Sequence, residues 1–295
     1  MTQSKQSGDN SAGTHRLRLA LRFAVVLLIG AASAAFSFDK LFVPKKELWP
    51  VWQAAGERQA PAVDHGAWDA WLQRYHSKGA DGIARLAYGA VTADDRAALT
   101  DYVAYLQTVP VRDYPRAVQW AYWVNLYNAR TVLLILEHPD VDSIRDIKIS
   151  PGLFKIGPWG KKLLTVEGEA LSLNDIEHRI LRPIWNDPRV HYAVNCAALG
   201  CPDLQAEAFT PENAERLLEA AARAYVNHPR GARIVDGELY TSSIYRWFRG
   251  DFGRNARDVI AHLRRYADPA LAEQLRTKTY IKGDSYDWAL NDVRS

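Results

Sequence analysis

The chain has 295 residues, 48% of them apolar and 24% charged, with two cysteines and a formal net charge of +3. Residues 1–34 hold Lys5, Arg16, Arg18 and Arg22 against Asp9; the remainder carries 33 basic and 33 acidic residues, 37 less four and 34 less one. A neutral body of this size supplies one large core and no basic face for a phosphate backbone, so nucleic acid is not an expected partner.

The N-terminus reads as an export signal. Three arginines precede an apolar run from Phe23 to Gly30, and Ala32-Ser33-Ala34 fits a small-residue cleavage site. The run falls short of the about 20 apolar residues that a membrane span needs, so residues 1–34 are expected to be a signal peptide, with an uncleaved single-pass anchor as the alternative. The expected location is periplasmic or secreted. Residues 35–63 are punctuated by Pro44, Pro50 and Pro61 around Trp49 and Trp52, the pattern of an extended arm laid on the domain. Its lysines at 40, 45 and 46 allow transient proximity to a membrane surface. Residues 64–295 are expected to form a single globular domain.

The first half of that domain reads as helical. Helices are expected at Ala67–His76, Ala93–Thr108 and Pro115–Leu136, the second capped by Thr92 with Asp94 and Asp95 in its first turn. The third is apolar on almost every side from Ala117 onward, which marks a buried central helix, while Gln119, Asn125, Asn128 and Arg130 argue against its crossing a membrane. The second half mixes strands at Lys162–Val166 and Val190–Val194 with helices at Ser172–Leu181, closed by Pro183, and Pro211–Asn227, opened by Thr210-Pro211. Arg233–Val235 and Leu239–Thr241 flank Asp236-Gly237 as a hairpin. Helical turns follow at Ser243–Phe248, Ala256–Tyr266 and Pro269–Arg276, and Thr279–Lys282 and Tyr286–Ala289 return to the sheet. The order predicts an α+β fold, helix-rich, with a buried central helix and a small antiparallel sheet.

Chemistry concentrates between residues 171 and 202. On the helix opened by Ser172, Leu173, Ile176, Ile180 and Leu181 form one apolar face, and at about 100° per residue Glu177 falls in its centre with His178 at its edge. A carboxylate there is expected to be buried, so it is paired, hydrogen-bonded or protonated. The functional reading makes Glu177 an orienting or proton-transferring group; the bland one is an internal ion pair with Arg182 or Arg130. Asn125 and Asn128 share a helix face and either hold loop backbone or line a pocket beside Trp123.

Cys196 and Cys201 leave three readings open: a disulfide closing a small loop, a Cys196 thiolate served by His178 or His191, or a metal set with Glu177. The spacing matches no usual zinc pattern, so no metal and no cofactor are expected. Asp251-Phe252-Gly253 mimics the kinase magnesium triplet, but with no other kinase element it reads as chance or a helix stop, and nucleotide, serine-hydrolase and zincin motifs are absent from the sequence.

The segments Tyr122–Ala129, Leu171–Leu181, Asp187–Cys196 with Cys201-Pro202, Ser242–Phe248 with Asp251-Phe252, and Tyr286–Asn291 together resemble the domain of unknown function 547 family, found in exported bacterial proteins and in plants. The resemblance spans roughly 170 residues in consistent order. It implies no established activity. Plant members do not keep the two cysteines in a fixed register, which moves weight from Cys196 to Glu177, His178 and the asparagine pair.

Two functions are carried forward. The first is a cofactor-free, thiol-dependent hydrolase or acyl transferase acting on a cell-envelope substrate, with Cys196 as nucleophile, His178 or His191 as base, Glu177 as orienter, and Asn125, Asn128 and Trp123 contacting substrate. The second is a non-catalytic module that binds an envelope peptide, protein or polymer and carries a structural Cys196–Cys201 disulfide.

Overall fold

The computed structural model describes Met1, residues 44–152 and residues 156–294. The expected signal or anchor at 1–34 and residues 35–43 of the arm lie outside the described residues. The compact unit runs from Pro44 to Ser295. It therefore begins before Asp64 and takes in the second half of the arm: Trp52, at 1% exposure, packs edge-on against Trp123 with ring centroids 5.0 Å apart. Burial of a whole indole makes these residues part of the core.

Helix α1 (Gly66–Tyr75) packs on α2 (Ala93–Thr108), and α2 packs on α3 (Arg116–Glu137). The bounds of α2 are those its sequence predicts, because Thr92 caps it: the Asp95 amide donates to Thr92 Oγ1 at 3.1 Å. On α3 every residue from Gln119 to Leu136 is buried. Its polar members are satisfied locally: Gln119 Nε2 donates to three backbone carbonyls, and Arg130 donates twice to Glu137 at 3.0 Å. No helix among the described residues is long and apolar enough to cross a membrane.

Among the described residues the strands form three small sheets. β1 (His76–Lys78) pairs antiparallel with β2 (Ala84–Leu86), and β3 (Leu164–Val166) with β4 (Glu169–Leu171). β5 (Ala232–Val235) and β6 (Glu238–Ser242) make the expected hairpin, whose loop residues Asp236 and Gly237 both take positive φ, 50° and 75°, as a two-residue turn between twisted strands requires. β7 (Gly283–Ser285) adds to β6 in parallel. It lies between the two segments expected to return to the sheet, and the second of them has another partner, described below.

Two more corrections concern the middle of the chain. A π-helical segment over Asp175–Leu181 runs straight into α4 (Arg182–Trp185), so Pro183 does not end the helix. Val190–Val194, expected as a strand, is a helical turn, α5 (Val190–Ala193). Asp187 starts it: its Oδ1 accepts the Arg189 amide at 2.8 Å, with Pro188 following, and this outweighs the strand composition of Val190, Tyr192 and Val194. After α6 (Ala214–Val226), α7 (Ile244–Trp247), α8 (Arg249–Phe252), α9 (Ala256–Tyr266) and α10 (Pro269–Leu275), a second apolar cluster gathers Tyr192, Tyr225, Tyr245, Phe252 and Tyr266.

Candidate functional site

The helix that carries Glu177 and His178 is built around a proline. Pro183 has no N–H, so the carbonyls four and five residues earlier, those of Arg179 and His178, lose their usual donors. The segment Pro44–Trp49 runs alongside and supplies them: the Glu47 amide donates to His178 O at 3.1 Å and the Trp49 amide to Arg179 O at 3.0 Å. The wider π winding leaves Arg182 N donating to Glu177 O. Arg179 covers the Trp49 ring at 4.3 Å and completes the strap.

Beneath the strap lies a polar cluster joining three parts of the chain. Asp251, on α8, accepts from Arg182 Nε at 2.6 Å, from His191 Nε2 at 2.8 Å and from Lys46 Nζ at 3.1 Å. Arg182 Nη1 donates to His178 Nδ1 at 2.9 Å and to Pro44 O at 3.3 Å. Glu177 stands behind the histidines, its Oε1 3.7 Å from His178 Nδ1 and from His191 Nδ1, while Tyr127 of α3 donates to its Oε2 at 3.1 Å. Phe248 forms one wall, stacked on His191 at 4.3 Å and covered by Arg182 at 4.8 Å.

Burial sets the protonation states. It pushes the Glu177 carboxyl up to about 7, against Arg182 and the Tyr127 hydroxyl, which favour the charged form. Burial likewise holds His178 well below the ordinary imidazole range, with Arg182 and His191 adding to the effect, and lowers His191 despite its bond to Asp251. For Asp251 burial works toward a higher value, but the bonds from His191 and Arg182 win and keep it ionised. The cluster thus holds two neutral imidazoles, a fixed Arg182–Asp251 ion pair and one carboxyl poised near neutrality.

The cysteines occupy a second place. Cys196 and Cys201 are free thiols with their Sγ atoms 3.1 Å apart; Cys196 is half-buried and Cys201 buried. The Cys196 amide also donates to Cys201 Sγ at 3.1 Å, and Cys196 Sγ shares a hydrogen bond with the Tyr286 hydroxyl at 3.0 Å. The loop between them is locked. Ala197 takes φ 58°, its amide donating to Asn195 Oδ1 at 2.8 Å, and Arg230 Nη1 donates to Leu199 O at 2.7 Å and Cys201 O at 2.8 Å. Residues 286–291 run along it, with Leu199 N donating to Ala289 O and Gly200 N to Asp287 O, both at 2.8 Å. A Cβ on Gly200 would lie 2.6 Å from Asp287 N, so only glycine permits this approach.

A cleft of about 450 Å³ opens on the outer side of this loop, walled by Arg85, Leu199, Gly200, Arg230, Arg233 and Tyr286 among others. Tyr286 is also the near edge of a half-buried aromatic cluster: Trp288 lies 4.6 Å and Trp247 4.9 Å from it, and Trp159 extends the row at 5.8 Å from Trp288.

The structure thus separates residues that the sequence grouped. Glu177, His178 and His191 meet; Cys196 does not join them, its described thiol partners being Cys201 and Tyr286. Asn125 and Asn128 act on backbone: Asn125 exchanges two bonds with Phe209, and Asn128 donates to Ala193 O at 2.9 Å and accepts from Asn195 N at 2.8 Å. They hold loops, and Asn128 anchors the residue before Cys196. Trp123, expected against substrate, is 1% exposed and enclosed by Trp52 and Tyr122, which puts it out of reach. Sequence reasoning missed Asp251, set aside as a chance triplet, with Lys46 and Tyr286; only the Asp251-Phe252 and Tyr286–Asn291 segments of the resemblance pointed to two of them. Among the described residues no group of three or more His, Cys, Asp and Glu is disposed to hold a metal.

No curated protein and no solved structure matches the chain. A match does exist over residues 111–226, which take in α3, the Glu177 helix, both histidines, both cysteines and α6: this part of the chain is similar to the family described as "Protein of unknown function, DUF547".

Proposed function

We propose that the chain is an exported recognition module that binds a cell-envelope polymer or peptide along the surface formed by the Tyr286 cleft and its aromatic row. The observation that carries this reading is Tyr286 itself: one face belongs to a cleft of about 450 Å³, and the ring continues into Trp247 and Trp288. A cleft of this size, with charged side chains along its wall and a half-buried aromatic row beside it, suits a chain-like ligand that stacks on rings and hydrogen-bonds at intervals. Export is supported by the arginine-led apolar segment and Ala32-Ser33-Ala34.

The thiol-dependent hydrolase or acyl transferase has less support. It requires a base beside Cys196, and both candidate imidazoles are engaged around Asp251 and Arg182. The test is co-sedimentation of the full chain with purified cell-wall material, wild type against Trp288→Ala and Trp247→Ala. Loss of one aromatic anchor is expected to weaken binding about tenfold. Equal sedimentation of wild type and both variants, or none by wild type, overturns the proposal.

A further inference from the structure

We propose that Cys196 and Cys201 form a reactive dithiol that undergoes thiol–disulfide exchange with a carboxylate-bearing peptide disulfide entering the Tyr286 cleft. The two sulfurs have unequal positions: Cys196 is half-buried and bonded to a cleft-wall tyrosine, whereas Cys201, 5% exposed, sits behind it at 3.1 Å. Cys196 is the more exposed of the two and the one an incoming disulfide meets first, and Cys201 is placed to resolve the product. Closure to a bond of about 2.05 Å asks for an approach of roughly 1 Å. The anchors of the loop, Asn128, Asn195, Tyr225 and Arg230, bond backbone atoms and do not depend on the redox state of either sulfur.

The proton already has a path. The Cys196 S–H donates to Cys201 Sγ, and together with the Cys196 amide it brings the Cys201 thiol below its ordinary range although burial works the other way. The Cys196 thiol is raised in turn, because its proton is committed to Cys201. The reacting form is the pair that has lost one proton to solvent: in the first step Cys196 Sγ attacks one sulfur of the partner, the pair's remaining proton passes to Cys201 Sγ, and the other partner sulfur leaves as a thiolate. In the second, Cys201 Sγ attacks Cys196 Sγ, the mixed disulfide breaks, and the remaining partner sulfur departs with the Cys201 proton. The protein dithiol is oxidised by two electrons and one partner disulfide is reduced to two thiols. Arg233 gives the cleft its affinity for carboxylates: its hydrogen bonds go to the neutral oxygens of Pro229 and Ser285, while Arg85 and Arg230 are paired with Asp81 and Asp203.

This inference does not depend on the recognition of envelope polymer. The full chain, reduced and freed of reductant, is mixed with oxidised glutathione, quenched with an alkylating agent and weighed by intact mass. Wild type is expected to lose two hydrogens and to release two equivalents of glutathione, and excess reduced glutathione restores both thiols. Cys201→Ser stops at one glutathione on residue 196, and Cys196→Ser reacts at least about tenfold more slowly. Arg233→Ala slows exchange with oxidised glutathione but not with uncharged 2-hydroxyethyl disulfide. A bridge that excess reduced glutathione leaves intact in wild type marks a structural disulfide and overturns the proposal. So does exchange as fast in Cys196→Ser as in wild type, or the absence of any bridge or mixed disulfide in wild type, which needs no variant to fold.

Discussion

Replacing Glu177 by Gln is expected to stabilise the protein at alkaline pH and to leave acid stability almost unchanged. Glu177 is buried, and its carboxyl is pushed from 4.5 up to about 7. The folded state therefore holds this proton more tightly than the unfolded chain does. Its contribution is intact below pH 4.5 and is lost as pH rises through 7. At about 1.36 kcal/mol for each pH unit, the interval from 4.5 to about 7 amounts to about 3 kcal/mol. Gln keeps the shape, accepts the Tyr127 hydroxyl through its amide oxygen, and carries no charge at any pH. His178 and His191 act with the opposite sign: held below their ordinary 6.5, they contribute stability above that value and lose it as pH falls. In wild type the two slopes oppose each other between pH 4.5 and 6.5; in Glu177→Gln only the rise remains. Urea unfolding from pH 4.5 to 8 measures the gap between the two proteins. It should open by about 3 kcal/mol over this range, or about 6 °C or more in Tm at pH 8. A variant that is less stable than wild type at pH 8 would refute the reasoning, because Arg182 would then need the carboxylate as its partner.

Asn128→Ala removes the partners of two buried backbone groups, Ala193 O and Asn195 N, and is expected to cost about 3 kcal/mol in chemical denaturation; a loss below about 1 kcal/mol would show that the loop finds other partners. Gly200→Ala drives a methyl into the Asp287 backbone and should destabilise by about 2 kcal/mol while changing the near-ultraviolet circular dichroism of the Tyr286–Trp288 row; an unchanged spectrum with full stability would contradict the close approach. The amides of Glu47 and Trp49, bonded to carbonyls that Pro183 frees, should exchange with deuterium as slowly as helix amides, and exchange at the rate of an open chain would detach the strap from the helix.

What the sequence made legible was local. Thr92 placed the start of α2, Asp236-Gly237 placed the hairpin turn, and the apolar spacing around Glu177 placed a carboxylate in the core. What it hid was each case in which a distant segment completes a local deficit. Pro183 is a stop signal by every local rule, yet the helix passes through it because Glu47 and Trp49 bring two N–H groups from more than 130 residues away. Asp251 has nothing beside it in sequence that explains a buried carboxylate, since its partners Arg182, His191 and Lys46 arrive from three other segments. The grouping of Cys196 with the histidines failed for the same reason in reverse. Nearness within 25 positions suggested one site, but α5 carries His191 toward Asp251 while the loop after it turns Cys196 toward Tyr286. The buried acid cluster and the thiol pair are thus held by different partners, Asp251 and its cations for one, the 286–291 segment for the other. A charge still links them, since the ionised Glu177 carboxylate adds to what raises the Cys196 thiol: Glu177→Gln should shift the pH dependence of stability and also speed alkylation of Cys196 at pH 8, and an unchanged rate would show that the charge is not felt at the thiol.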